Sequence, residues 1–166
     1  MTVGQLMTRQ VRTCRPADSL NTAAEIMWEQ DCGCVPVVQQ GDRESSRLVG
    51  MLTDRDICMA AYTQGRPLTA IQATSIMQRD LATCVETDPV GVALNILGTR
   101  RLHRLPVVQG DGELVGLLSL ADVARESKRE ETHVERAAGV TAAAVGDTLA
   151  TISEPRTGHR EIVPVG

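Results

Sequence analysis

Apolar residues fall at Leu20, Ala23, Ala24 and Met27, and again at Val90, Ala93, Leu94 and Leu97. Both sets follow i, i+3, i+4, i+7, so each predicts a helix with one apolar face. Asp18 and Asp88 stand just ahead as expected N-caps, with Pro89 at the first helical position, where its missing N–H costs nothing. β-branched runs follow, VPVVQ from Val35 and LPVVQ from Leu105, and each leads into turn residues, Gly41-Asp42 and Gly110-Asp111-Gly112. LVGMLT from Leu48 and LVGLLS from Leu114 read as return strands. Second helices are expected from Thr53 to about Tyr62 and from Ser119 to about Lys128. A short extended piece, VRTC from Val11 or LATC from Leu81, opens each set.

The pattern is therefore written twice. Shifted by about 70 residues, MTRQVRTC from Met7 falls on MQRDLATC from Met77, and PVVQ from Pro36 falls on PVVQ from Pro106. A longer first loop then reduces the offset to about 66, and LVGMLTDRDI falls on LVGLLSLADV. Two copies suit a pair that closes on itself rather than a solenoid. Each copy reads strand, helix, strand, strand, helix, and neither alone covers both faces of its sheet. The expected fold class is α/β (α+β), two βαββα repeats packed about a pseudo-twofold axis as one module. Expected divisions are 1–66, 67–128 and a tail, 129–166. In the tail, REETHVER is a charged helical continuation or linker, DTLATISEP suits a short helix capped by Asp147 and ended by Pro155, and RTGHREIVPVG looks frayed.

Composition narrows the chemistry. The chain has 166 residues, 42% hydrophobic and 23% charged, an ordinary globular balance. One Trp, one Tyr and no Phe leave an aliphatic core and no set of rings for stacking bases. A net charge of −4 argues against a nucleic-acid surface. No apolar run approaches a membrane span and no signal-peptide stretch opens the sequence, so a cytoplasmic location is expected. Cys14, Cys32, Cys34, Cys58 and Cys84 are odd in number, which does not suggest a disulfide framework. Neither they nor His103, His133 and His159 show metal-ligand spacing. No catalytic triad or Gly-rich phosphate loop is recognisable, so an enzyme is not expected.

GMLTDRD, from Gly50, and GLLSLAD, from Gly116, carry the candidate chemistry. Thr53-x-x-Asp56 and Ser119-x-x-Asp122 have the spacing of a helix capping box. The same geometry suits a ligand. A helix N-terminus favours phosphate, a glycine just upstream lets a ligand approach the backbone, and a carboxylate one turn in can accept from vicinal ribose hydroxyls. The two roles can coexist. In TRRLHRLPVV, Arg100, Arg101, His103 and Arg104 precede the second repeat's strand, where the first repeat has QDCGCVPVV with no base. Such a cluster is either a solvated face or a phosphate contact.

These doubled motifs resemble a tandem pair of cystathionine-β-synthase (CBS) domains, a Bateman module, over about Gly4 to Ser127. The resemblance implies a stand-alone bacterial regulatory module that binds adenine nucleotides (AMP, ADP or ATP) or a relative such as S-adenosylmethionine or NAD in clefts between the repeats. It also implies dimerisation and an unidentified regulated protein. Asp56 and Asp122 then take ribose hydroxyls, with Thr53 and Ser119 beside ribose and phosphate. Thr13, Cys14, Val35, Pro36, Thr83, Cys84, Leu105 and Pro106 line the adenine slots. LHRLPVV with GLLSLAD further resembles the nucleotide-binding CBS repeats of AMP-activated kinase γ subunits, which points to His103 and Arg104 as phosphate contacts. The Asp122 site is then the better phosphate site, with Arg55 partly compensating at the Asp56 site. The competing expectation is a redox- or metal-responsive structural protein built on the repeat-equivalent Cys14 and Cys84, with Cys32 and Cys34 nearby.

Overall fold

The computed structural model describes residues 1–40, 46–132 and 141–154, with side chains for all of these but 129–132. A short turn of helix, α1 (Val3–Leu6), precedes α2 (Leu20–Glu29), β1 (Cys34–Gln40), β2 (Ser46–Thr53) and α3 (Asp54–Gln64). Two 3₁₀ turns, Leu68–Ala70 and Ala73–Ser75, lead to α4 (Val90–Arg100), β3 (Arg104–Gln109), β4 (Glu113–Ser119), α5 (Leu120–Thr132) and α6 (Ala142–Ser153). The two copies thus share one element order, and the mixed α/β (α+β) class is as expected. The leading extended piece of each copy narrows to one parallel bridge, Cys14 to Val37 and Cys84 to Val107.

Both hairpins are antiparallel and share their register. Cys34 faces Thr53 and Arg104 faces Ser119, so the start of each first strand lies beside the end of its return strand. The sheet runs β1-β2-β4-β3, and the two hairpins meet through Arg47 and Glu113. Gly110 and Gly112 turn the second hairpin at positive φ, 49° and 94°, where glycine meets no Cβ penalty. The turn expected at Gly41-Asp42 lies outside the described residues.

Each helical stripe fills its own repeat. Leu20, Ala23 and Met27 are buried with Val35, Val37 and Leu52 in one core. Val90, Ala93, Leu94 and Leu97 are buried with Leu105, Val107 and Leu118 in the other. The leading segments, however, are exchanged. Val3 and Met7 belong to the second core, while Ile71, Ala73 and Met77 belong to the first. Backbone bonds fix the crossing: Val3 N donates to Asp88 O at 2.9 Å and Leu20 N donates to Ile71 O at 2.8 Å. Thr8 pairs with Leu117 and Gln78 with Met51. The sequence period did not reveal this, because each leading segment keeps its place in the repeat while changing the half it packs on.

The expected caps shift by one residue. Ser19 caps α2, accepting from Thr22 N, and Pro89 occupies the cap position of α4 with no side-chain bond. Asp18 and Asp88 instead close the turn ahead, accepting from Arg15 N at 2.7 Å and Val85 N at 2.9 Å. An Asp favours a tight turn as strongly as a cap, and here the turn wins. In the tail, α6 begins earlier than expected, capped by Thr141 rather than Asp147. Asp147 lies mid-helix, and its carbonyl accepts from Thr151 Oγ1. Pro155 and the last residues lie outside the described residues, as does the REETHVER stretch beyond Thr132. The helix α6 packs on α4 and α5, with Ala144, Val145 and Ile152 against the second core and Thr148 buried. Glu154 pairs with Arg101 at 2.9 Å.

Candidate functional site

The two helix starts are built alike. Thr53 N and Thr53 Oγ1 donate to Asp56 Oδ2 at 3.0 and 2.8 Å, and Asp56 N donates back to Thr53 Oγ1 at 3.2 Å. Ser119 N and Ser119 Oγ donate to Asp122 Oδ2 at 2.9 and 2.6 Å, and Asp122 N donates back to Ser119 Oγ at 3.1 Å. The shorter Asp therefore closes a full capping box in both repeats. Each box consumes one carboxylate oxygen, and Oδ1 projects outside it. The two Oδ1 atoms differ in company. Asp56 Oδ1 accepts from the Gln78 amide at 3.3 Å, whereas Asp122 Oδ1 is ion-paired with Arg125.

Gly50 and Gly116 have a different role from the expected one. An added Cβ at Gly50 would lie 2.6 Å from Met77 Sδ, and one at Gly116 would lie 2.6 Å from Met7 Sδ and 2.9 Å from the Thr8 carbonyl oxygen. The space that each glycine leaves is filled by the crossing segment, not held open for a ligand.

The expected slot residues come together around the extended pieces at Cys14 and Cys84, each within its own repeat. Cys14 N donates to Pro36 O at 3.1 Å and Val38 N donates to Cys14 O at 2.9 Å, and Cys84 makes the same pair with Pro106 O and Val108 N. Thr13 and Thr83 are half-buried, while Val35, Pro36, Leu105 and Pro106 are buried. The Cys14 and Cys84 side chains lie within the two cores. Burial, helped by the charges of Asp18 and Asp88, pushes each thiol up to about 11. Burial also pushes Cys34 up to about 11, against the opposing charge of Arg104. Cys58 is exposed. Among the described residues no three His, Cys, Asp or Glu side chains gather as a metal set would require.

The basic cluster is divided. Arg100 pairs with Asp80 at 2.7 Å and Arg101 with Glu154, so both are engaged with protein. His103 is exposed, and Arg104 is half-buried at the start of β3. The Arg104 guanidinium reaches across to the first repeat: a Cβ at Gly33 would lie 3.7 Å from its Nη1 and 3.1 Å from Asp54 Oδ2. This cation therefore stands nearer the start of α3 than its sequence position, in the Asp122 repeat, suggests. Arg55 is exposed on that helix start, where its N–H donates to Asp54 Oδ1 at 2.7 Å. A cavity of about 470 Å³ lies elsewhere, between Ser19, Gln64, Arg66, Ile71 and Gln72, and none of the expected site residues lines it.

A family model for the CBS domain matches residues 3–62 and 73–129, one match per repeat. The chain belongs to the CBS-domain family. Among CBS proteins, YhcV of Bacillus subtilis is 32% identical over 134 residues, 78% of this chain and 88% of that protein. Hypoxic response protein 1 of Mycobacterium tuberculosis is 29% identical over 124 residues, 75% of this chain and 83% of that protein. A solved structure of Hypoxic Response Protein I with two coordinated zinc ions superposes with a TM-score of 0.65 at 30% identity, over 75% of this chain and 98% of that one. CBSX2 in complex with AMP superposes with a TM-score of 0.66 at 25% identity, over 78% of this chain and 98% of that one. Among the described residues no helix is long and apolar enough to cross a membrane.

Three residues at the CBS helix starts were not singled out in the sequence. Arg125 was findable, since it stands three residues after Asp122 on one helix, the spacing of an ion pair. Asp54 was adjacent to a motif residue but unremarkable until Arg104 was seen to approach. Gln78 had no local signal, because only the exchange of leading segments brings it to Asp56.

Proposed function

We propose that this CBS pair is a regulatory module that binds an adenine nucleotide, AMP, ADP or ATP, or a related adenosyl ligand such as S-adenosylmethionine, between its repeats. One observation carries the reading: in both repeats a helix start presents a half-buried aspartate whose Oδ1 lies outside the capping box. Such an oxygen suits a ribose diol, and the adjoining helix N-terminus suits a phosphate. Thr53 and Ser119 are placed beside that sugar. The half-buried Thr13 and Thr83 border the place for adenine, and the buried Cys14, Val35, Pro36 and their counterparts Cys84, Leu105 and Pro106 form the apolar wall behind them, which adenine reaches as the cleft opens. Arg104 supplies a cation at the inter-repeat boundary, with His103 and Arg55 exposed nearby. The AMP-bound CBSX2 supports the ligand class. Ligand binding across the repeats favours whichever arrangement holds the tighter cleft, and a bound or regulated protein senses that shift. No catalysis is assigned. The buried thiols, held largely protonated, weigh against a redox-responsive role.

A homodimer belongs to the same proposal. Trp28 on α2 and Met59 and Tyr62 on the adjoining α3 are exposed, Trp28 at 89%, and a second copy covering them fits a surface this apolar. Calorimetric titration of the full chain with AMP tests the ligand reading. Binding is expected for the wild type and a loss of at least tenfold in affinity for Asp56→Asn with Asp122→Asn, which keeps acceptors for both caps. Equal binding by the double variant would overturn the site, and no heat with AMP, ATP or S-adenosylmethionine would overturn the function.

A further inference from the structure

The two aspartates are equivalent in sequence and in capping, but not in availability. Asp122 Oδ1 is taken by Arg125, a cation three residues along the same helix. Asp122 is only 13% exposed at its side chain while Arg125 is 70% exposed, so the guanidinium lies over the carboxylate from the solvent side. The residue matching Arg125 in the first repeat is Met59, which has no donor. Asp56 Oδ1 meets instead a neutral amide at 3.3 Å, a long bond that a hydroxyl displaces at small cost. A carboxylate paired with a guanidinium is a weaker acceptor for a neutral hydroxyl, because its charge is already met by a stronger, charge-assisted bond.

We infer that Arg125 acts as a latch that makes the two half-sites unequal: a sugar hydroxyl reaches Asp56 directly but must displace Arg125 to reach Asp122. This inference rests on the adenosyl-ligand reading above and names the residue that sets selectivity between its two sites. The module then fills in order, the Asp56 site at low ligand concentration and the Asp122 site at high. Arg125 is exposed, so swinging it out costs little structure, and the penalty falls on ligand affinity at that site.

The inverse pair of substitutions tests it. Arg125→Met and Met59→Arg exchange the two environments at positions exposed in the single chain, and because Met59 lies in the proposed dimer patch, the Met59→Arg titration is read against Met59→Gln, which alters that patch without adding a cation. AMP titration is carried out on full chains in an Asp56→Asn background, which isolates the second site, and in an Asp122→Asn background, which isolates the first. Removal of Arg125 is expected to tighten the second site by about threefold to tenfold, the range open to a partly screened ion pair. Met59→Arg is expected to weaken the first site by a similar factor. If Arg125→Met leaves the second site unchanged or weakens it, the latch is wrong and Arg125 is a bystander or a phosphate contact. Two sites of equal affinity in the wild type would overturn the latch while leaving the ligand reading intact. Absence of AMP binding to every chain would overturn both.

Discussion

At the scale of single residues, close approach decides more than chemistry does. Gly50 and Gly116 are twins in sequence, yet an alanine is not equally tolerated at the two. At Gly50 the atoms in the way, Met77 Sδ, Cγ and Cβ, all belong to one flexible side chain. At Gly116 the Thr8 carbonyl oxygen, a backbone atom at 2.9 Å, stands beside the Met7 sulfur and cannot step aside alone. Gly116→Ala is therefore expected to lose about 1–3 kcal/mol, as overpacked cores do, and Gly50→Ala clearly less. Urea denaturation of both variants checks this, and equal losses would contradict it. The capping boxes were legible in the sequence because they need only four consecutive residues of local chain. The glycines were not, since the atoms that crowd them arrive from a segment 27 residues away in one case and more than a hundred in the other.

At the scale of elements, the helical stripes and hairpins were legible for the same reason, local periodicity, while the caps of α2 and α4 were not, because Asp18 and Asp88 carry turn and cap signals alike. The docking of α6 had no local signal at all. Its seat is explained by one repeat-equivalent pair. Gly98 on α4 faces Thr148 of α6, with 3.8 Å between a built Cβ and Thr148 Cγ2, and the matching position on α2 is the exposed Trp28. The helix thus fits the second repeat and would meet an indole on the first. Gly98→Trp is expected to evict α6, seen as faster amide hydrogen exchange across Ala142–Ser153 and a lower Tm. Gly98→Ala, for which there is room, should leave both unchanged or slightly improved, as a helical glycine costs roughly 0.5–1 kcal/mol relative to alanine. Unaltered exchange in the tryptophan variant would show that α6 is seated by something else.

At the scale of the whole molecule, the exchange of leading segments makes the two repeats one folding unit. A fragment of residues 1–66 lacks Ile71, Ala73 and Met77 of its core, and residues 67–128 lack Val3 and Met7 of theirs. Neither fragment alone is expected to show a cooperative thermal transition by circular dichroism. A sharp transition in either would mean that the crossing contributes little. The pairing of two repeats was legible from the doubled pattern, but the crossing was not, since no periodicity records which partner a segment chooses.

That crossing also sets an order for synthesis. Val3 and Met7 are made before the strand and helix they settle against, around Leu117 and Val123, which leave the ribosome more than a hundred residues later. The segment around Val3 and Met7 must therefore wait, unseated, until the second repeat has emerged, so that completing the far half is what finally secures the near one.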